Sequence, residues 1–131
     1  MKIYRFDSQV GKSESGFGST NLVISRIAQL AGETSIVCMH LGPDGRVGDH
    51  QAVSPQLFLV VQGEGWVRGD QGELLPITAG RAAFWEKGEW HAAGTGTGLV
   101  AIVIESALLD PREYMHVDWP PDKRLSDNRT I

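Results

Sequence analysis

The sequence predicts an all-β protein, a sandwich or barrel of short strands, and three observations carry that prediction. Short apolar segments rich in β-branched residues recur along the chain. Sixteen glycines fall mostly between them, where turns belong. No segment before Ala107 sustains a helical period.

In chain order, "KIYRF" is the first candidate strand and "NLVISRIAQL" the second. "TSIVCMHL", "PQLFLVVQ", "GWVRG", "GELLPI", "RAAFW", "WHAAG" and "LVAIVIES" follow. "GPDG", "VRGDQGE" and "AGTGTG" read as turns. The last stretch, "DPREYMHVDWPPDKRLSDNRTI", is polar and holds a Pro-Pro pair. It reads as a short helix or turn near Pro111 to Tyr114 and then an extended tail. Met115 and Trp119 are expected to pack on the barrel or on a second subunit, with the final residues mobile. The expected division is one barrel domain over residues 1–118 and a polar tail over 119–131.

With 131 residues the chain suits one domain with a real core. It is 41% hydrophobic and 21% charged, as globular domains are. Its formal net charge of −4, with scattered basic residues, argues against nucleic acid as a partner. The single cysteine, Cys38, has no internal disulfide partner and reads as a reduced thiol of a cytosolic protein. "MKIYRFDSQVGK" has no apolar signal core, and the apolar runs are too short to span a bilayer, so a cytoplasmic location with no membrane partner is expected. "VGKSES" lacks the earlier glycine of a phosphate-binding loop, since Phe6 stands there. "GTGTG" leads into a strand, whereas a dinucleotide fingerprint opens a helix.

Two stretches resemble the paired motifs of the cupin family, G-x5-H-x-H-x3/4-E-x6-G and G-x5-P-x-G-x2-H-x3-N. "GRVGDHQAVSPQLFLVVQG" matches the first. Its closing glycine is Gly63, the glutamate position holds Gln56, and the histidine positions hold His50 and Ala52. "GRAAFWEKGEWHAAGT" matches the second, with Gly80, Glu86 at the proline position, Gly88, His91, and Thr95 at the asparagine position. The resemblance covers the middle half of the chain. It implies a single-domain jelly-roll β-barrel, often dimeric, in which three histidines and a glutamate hold a divalent metal such as zinc, nickel, iron or manganese.

Against that ligand set, His50 and His91 are retained, Ala52 has no donor atom, and Gln56 offers a neutral amide in place of a carboxylate. Two imidazoles and an amide make a weak site, because a catalytic metal takes about three protein ligands. One face of "TSIVCMHL" carries Cys38 and His40, the other Val37 and Met39. If the first face is inward, Cys38 and His40 join the site. If not, Cys38 packs as a small hydrophobe and His40 sits near solvent. Alternation from Gln56 places Phe58 and Val60 beside it as an apolar floor, a combination suited to a small organic ligand. Trp66, Phe84, Trp85 and Trp90 read as core or dimer packing. Glu86 and Glu89 read as solvated turn residues.

The preferred functional reading is a small-molecule-binding protein with a weakened or absent metal site. The alternative is a metal-dependent enzyme of dioxygenase or isomerase type using His50, Gln56 and His91. Acid–base work by the histidine pair, or a chiefly structural dimer, are further readings. A homodimer is expected, with "MKIYRF" as the edge strand that joins two copies.

Overall fold

The computed structural model describes residues 1–121, and the end of the expected tail, 122–131, lies outside them. Its organising element is β6 (Gln56–Arg68), a 13-residue strand. "PQLFLVVQ" and "GWVRG" are therefore one strand instead of two. The "QGEG" between them bends without ending it, because Gly63 adopts φ 84° and β6 carries an extra residue, Val61, where its register with β10 (Leu99–Glu105) shifts. The first half of β6 pairs with β8 (Arg81–Trp85) and β10, the second with β7 (Leu74–Thr78) and β9 (Trp90–Gly94). One strand thus serves both sheets.

The larger sheet runs β11-β1-β8-β6-β10-β4, with β1 at Lys2–Arg5, β4 at Ser35–Leu41 and β11 at His116–Trp119. In the facing layer β9 pairs with β5 (Arg46–Gln51), and all pairings are antiparallel. Between the layers lies a core of Phe58, Val60, Val67, Ile77, Trp85, Leu99 and Val103. A second cluster covers the outer face of the large sheet, where Leu57, Leu59, Tyr4 and Phe84 meet Leu109 and Met115. Both faces of "LFLVV" are buried for that reason, as its unbroken apolar run predicts.

Several expectations change. "NLVISRIAQL" holds only the short strand β3 (Leu22–Ile24), paired with β2 (Lys12–Glu14) in a separate hairpin. Its remainder crosses the outer face irregularly, where Ile27, Ala28 and Leu30 help cover the second cluster. "RVGDHQ" is a strand despite its polar composition, since pairing with β9 satisfies its backbone. The short helix is a 3₁₀ turn at Pro111–Glu113, with the Asp110 carboxylate accepting from the Arg112 amide at 3.0 Å. After it Met115 is buried, and Trp119 packs on the barrel core opposite Ile3.

That last pairing corrects the N-terminal edge strand. β1 lies between β8 and β11 and has no open side. No helix among the described residues is long and apolar enough to cross a membrane.

Asp7, just after β1, collects two guanidinium groups, Arg5 at 2.8 Å and Arg81 at 3.2 Å. The Arg5 hydrogen bonds, with smaller help from a backbone hydrogen bond and the charges of Arg5 and Arg81, hold its carboxyl at about 2, well below the ordinary 3.8. A depressed carboxylate stabilises the fold above its unfolded value and ceases to as the pH falls through the folded one. Denaturation profiles should therefore show a stability loss between about pH 4 and about pH 2 that Asp7→Asn flattens. An unchanged slope in the variant would assign the acid sensitivity elsewhere.

Candidate functional site

The strand pairing that closes the small layer also builds the site. His50 on β5 stands directly across from His91 on β9, with ring centroids 4.3 Å apart. Trp85, on β8, stacks on His91 with centroids 4.4 Å and planes 26° apart. The indole is itself held by its Nε1–H, which donates to the Arg68 carbonyl at 3.1 Å. Beside these rings is a cavity of about 110 Å³. Phe58, Trp85, Ala93 and Val103 form its apolar wall, and Val37, Met39 and Val47 its rim. His50, Gln56, His91 and Glu105 supply the polar groups.

The hydrogen bonds set the histidine tautomers. His50 Nδ1 lies 2.8 Å from the Gly48 carbonyl and His91 Nδ1 lies 3.1 Å from the Glu89 carbonyl. A carbonyl only accepts, so each Nδ1 carries a proton, and the neutral form of each ring has its lone pair on Nε2. His91 is 2% exposed, and its Nε2 is buried without a partner among the described residues. Burial pushes the His91 pKa below its ordinary 6.5 against the pull of the Glu89 carbonyl, and the neighbouring His50 lowers it further. At neutral pH the buried ring is uncharged.

The structure brings His50, Gln56, His91 and Phe58 together. Val60 is displaced from the expected floor: it lies fully buried in the core and does not border the cavity. Cys38 and His40 are not part of the site. Val37 and Met39 point toward the cavity, which puts the alternate residues on the outer face of β4. There Cys38 is exposed, with its Sγ 3.5 Å from His40 Nε2. The reading of Cys38 as a buried small hydrophobe is corrected with it, because β4 lies at the end of the sheet order. Trp90 faces away from His91 and is half exposed, as alternation requires.

Glu105 is the residue that the motif comparison passes over. In β10 it sits opposite Gln56 and on the same face as Val103. A carboxylate therefore enters the cavity from the strand beside the amide that replaced one. The parity of Glu105 with Val103 in "LVAIVIES" was the available signal, but it needs the β6–β10 register to become a placement. Thr95, at the asparagine position, has a turn role: its hydroxyl donates to the Glu64 carbonyl at 2.6 Å and accepts from the Gly98 amide at 2.9 Å.

The donor set decides how far the metal expectation carries. The free Nε2 atoms of His50 and His91 are of the ligating kind, and both rings are oriented through Nδ1 as metal-binding imidazoles are. A third ligand is lacking. Ala52 is buried and donor-free, Gln56 is neutral, and no group of three or more His, Cys, Asp or Glu residues among those described is placed to hold an ion. These residues do not fit a metal needing three protein ligands.

No protein-family model and no curated protein matches the chain. Solved structures do. A cupin superfamily protein of Desulfitobacterium hafniense superposes with a TM-score of 0.53 over 66% of this chain and 79% of its own, at 16% identity. A conserved Klebsiella pneumoniae protein with a double-stranded β-helix domain does so at 0.53 over 83% and 90%, at 15% identity. A cupin-2 domain protein of Shewanella frigidimarina reaches 0.50 over 61% and 76%, also at 15% identity. The likeness is one of fold, a double-stranded β-helix of antiparallel strands. This chain has the cupin fold.

Proposed function

We propose that the protein binds a small organic molecule in the cavity beside His50 and His91, without a resident metal at full occupancy. The observation that carries this reading is the cavity's composition. It has aromatic and aliphatic walls, four polar residues in its lining, and a buried imidazole nitrogen with no partner among the described residues. An unsatisfied buried acceptor costs free energy, of order 1–3 kcal/mol, which a ligand donor or a water relieves.

Two measurements test the reading. Protein purified without a histidine tag should carry metal well below one equivalent by plasma mass spectrometry, beside a His50→Ala/His91→Ala control. It should also show cavity-centred NMR shifts with small organic fragments, and Val47→Phe at the half-buried rim should abolish them. Stoichiometric metal, absent from the control, would overturn the reading in favour of a metal-dependent enzyme.

Self-association fits the same fold through β4, not β1. Among the described residues β4 pairs on one side only, with β10. Ser35–Leu41 contains no proline and no acidic or lysine residue to blunt an open edge, and Ile36 is 65% and Val37 47% exposed. A symmetric homodimer is expected in sedimentation velocity at micromolar concentration, with Ile36→Lys shifting it to monomer. A monomeric wild type at that concentration refutes it.

A further inference from the structure

We infer that the His50–His91 cavity selects a compact organic ammonium, hydrogen-bonded at the Nε2 lone pairs in the field of the Glu105 carboxylate, with its apolar end against Trp85 and Phe58. This rests on the cavity being a ligand site and specifies what that ligand is.

Count the donors and acceptors that face the cavity. His50 and His91 have both spent their ring protons on backbone carbonyls, so each presents only an acceptor. Glu105 presents an anionic acceptor, and among the described residues it has neither a hydrogen bond nor an ion pair in the structure's network. Gln56 alone is ambivalent. A carboxylate or phosphate ligand would therefore meet three electron-rich groups and one amide. An ammonium presents only donors and a positive charge, which suits two acceptor nitrogens in the field of a carboxylate.

The charge argument agrees. Arg46 and Arg68 are the cations nearest in sequence and pairing to the histidine strands, yet both are drawn to Asp49, at 3.4 and 3.8 Å. Asp49 is the neighbour of His50 in β5 and does not border the cavity, and neither arginine borders it. Glu105 is therefore left as a half-buried carboxylate beside the two imidazoles. It acts on the buried ring, where its field opposes part of the desolvation that lowers the His91 pKa. A buried charge is costly unless paired, so a cation entering here is paired on arrival. His50, His91 and Glu105 line one cavity but are not placed to converge on a single ion, whereas two hydrogen bonds and a nearby opposite charge need no fixed coordination number.

Volume limits the size. About 110 Å³, at about 30 Å³ per water, corresponds to about four waters or a molecule of about five non-hydrogen atoms. Aromatic faces of Trp85 and Phe58 favour a branched aliphatic end, and they attract cationic character as well.

The test uses three probes of one shape: isobutylammonium, isobutanol and isobutyrate, titrated into the full chain at pH 7.5. Long-range proton–nitrogen spectra of the histidine rings report binding at Nε2 directly, with Nδ1 as the internal reference. Isobutylammonium should bind about tenfold more tightly than isobutanol, as a charge-assisted hydrogen bond implies, and isobutyrate should not bind. Glu105→Gln should remove that tenfold preference while isobutanol still binds, which shows that the variant is folded. Equal affinity for the alcohol, tighter binding of isobutyrate, or a preference that survives Glu105→Gln overturns the ammonium inference and leaves the cavity as a ligand site. No response to any probe by natively folded protein overturns the ligand-site reading and the inference together.

Discussion

Trp85→Ala is expected to destabilise the fold by about 3–5 kcal/mol, the range for removing a fully buried large aromatic. Trp85 is 1% exposed and touches three systems at once. It is tilted against Phe58 with centroids 6.0 Å apart, it stacks on His91, and it donates to the Arg68 carbonyl. Alanine leaves a cavity next to the existing one and removes the hydrogen bond to the Arg68 carbonyl. Trp85→Phe keeps most of the apolar volume and loses chiefly the N–H, so it should cost clearly less. Urea denaturation of the two variants checks the order. If Trp85→Ala costs less than about 2 kcal/mol, the ring is not the packing link between core and site that its contacts indicate.

The second large effect is expected at Gly63, the closing glycine of the first motif. Its φ of 84° is a conformation L side chains rarely adopt. A Cβ there would also press into the Gly98 carbonyl and lie 2.9 Å from Leu99 Cα, both of them backbone and unable to swing away. Gly63→Ala should therefore cost about 3 kcal/mol or more, combining about 1–2 kcal/mol of conformational strain with overpacking. Gly72 supplies the control. Its φ is 80°, but nothing lies within 4 Å of its Cβ position, so Gly72→Ala should cost the strain alone. Equal losses in the two variants would remove the steric part of the argument.

Much of the fold was legible because it depends on local pattern. "RAAFW" and "WHAAG" match β8 and β9 residue for residue, and "LVAIVIES" differs from β10 only by its last serine. β5 was not legible from apolar alternation, since its polar, solvent-facing sequence becomes a strand only when β9 pairs with it. "HVDW" likewise becomes β11 only because β1 offers an open side. Gly63 stands between two candidate strands of the sequence, yet the chain continues through it as one strand, and the extra residue Val61 in β6 absorbs the shift in register with β10.

The site divides along the same line. His50 and His91 were found from motif spacing, and their meeting follows from the β5–β9 register. The inward face of β4 was open in the sequence, because both of its faces carry plausible cavity residues. Neighbouring β10 decided it, with Val103 and Glu105 facing the cavity and placing Val37 and Met39 there too. Cys38 and His40 went to the outer surface as a consequence. Val60 has the right parity for the floor but sits one pair deeper than Phe58, in the closed core.

By itself, the sequence determined an all-β chain with its principal strands, a cupin-like pair of motifs, two histidines and a loss of ligands at Ala52 and Gln56. These follow from side-chain alternation, glycine placement and residue chemistry, all of which are local. Only the tertiary structure decided that Glu105 faces Gln56, that both imidazoles point their lone pairs away from the backbone, and that Cys38 and His40 are excluded. Each of those depends on strand register, and a shift of one residue would send every one of these side chains to the opposite face.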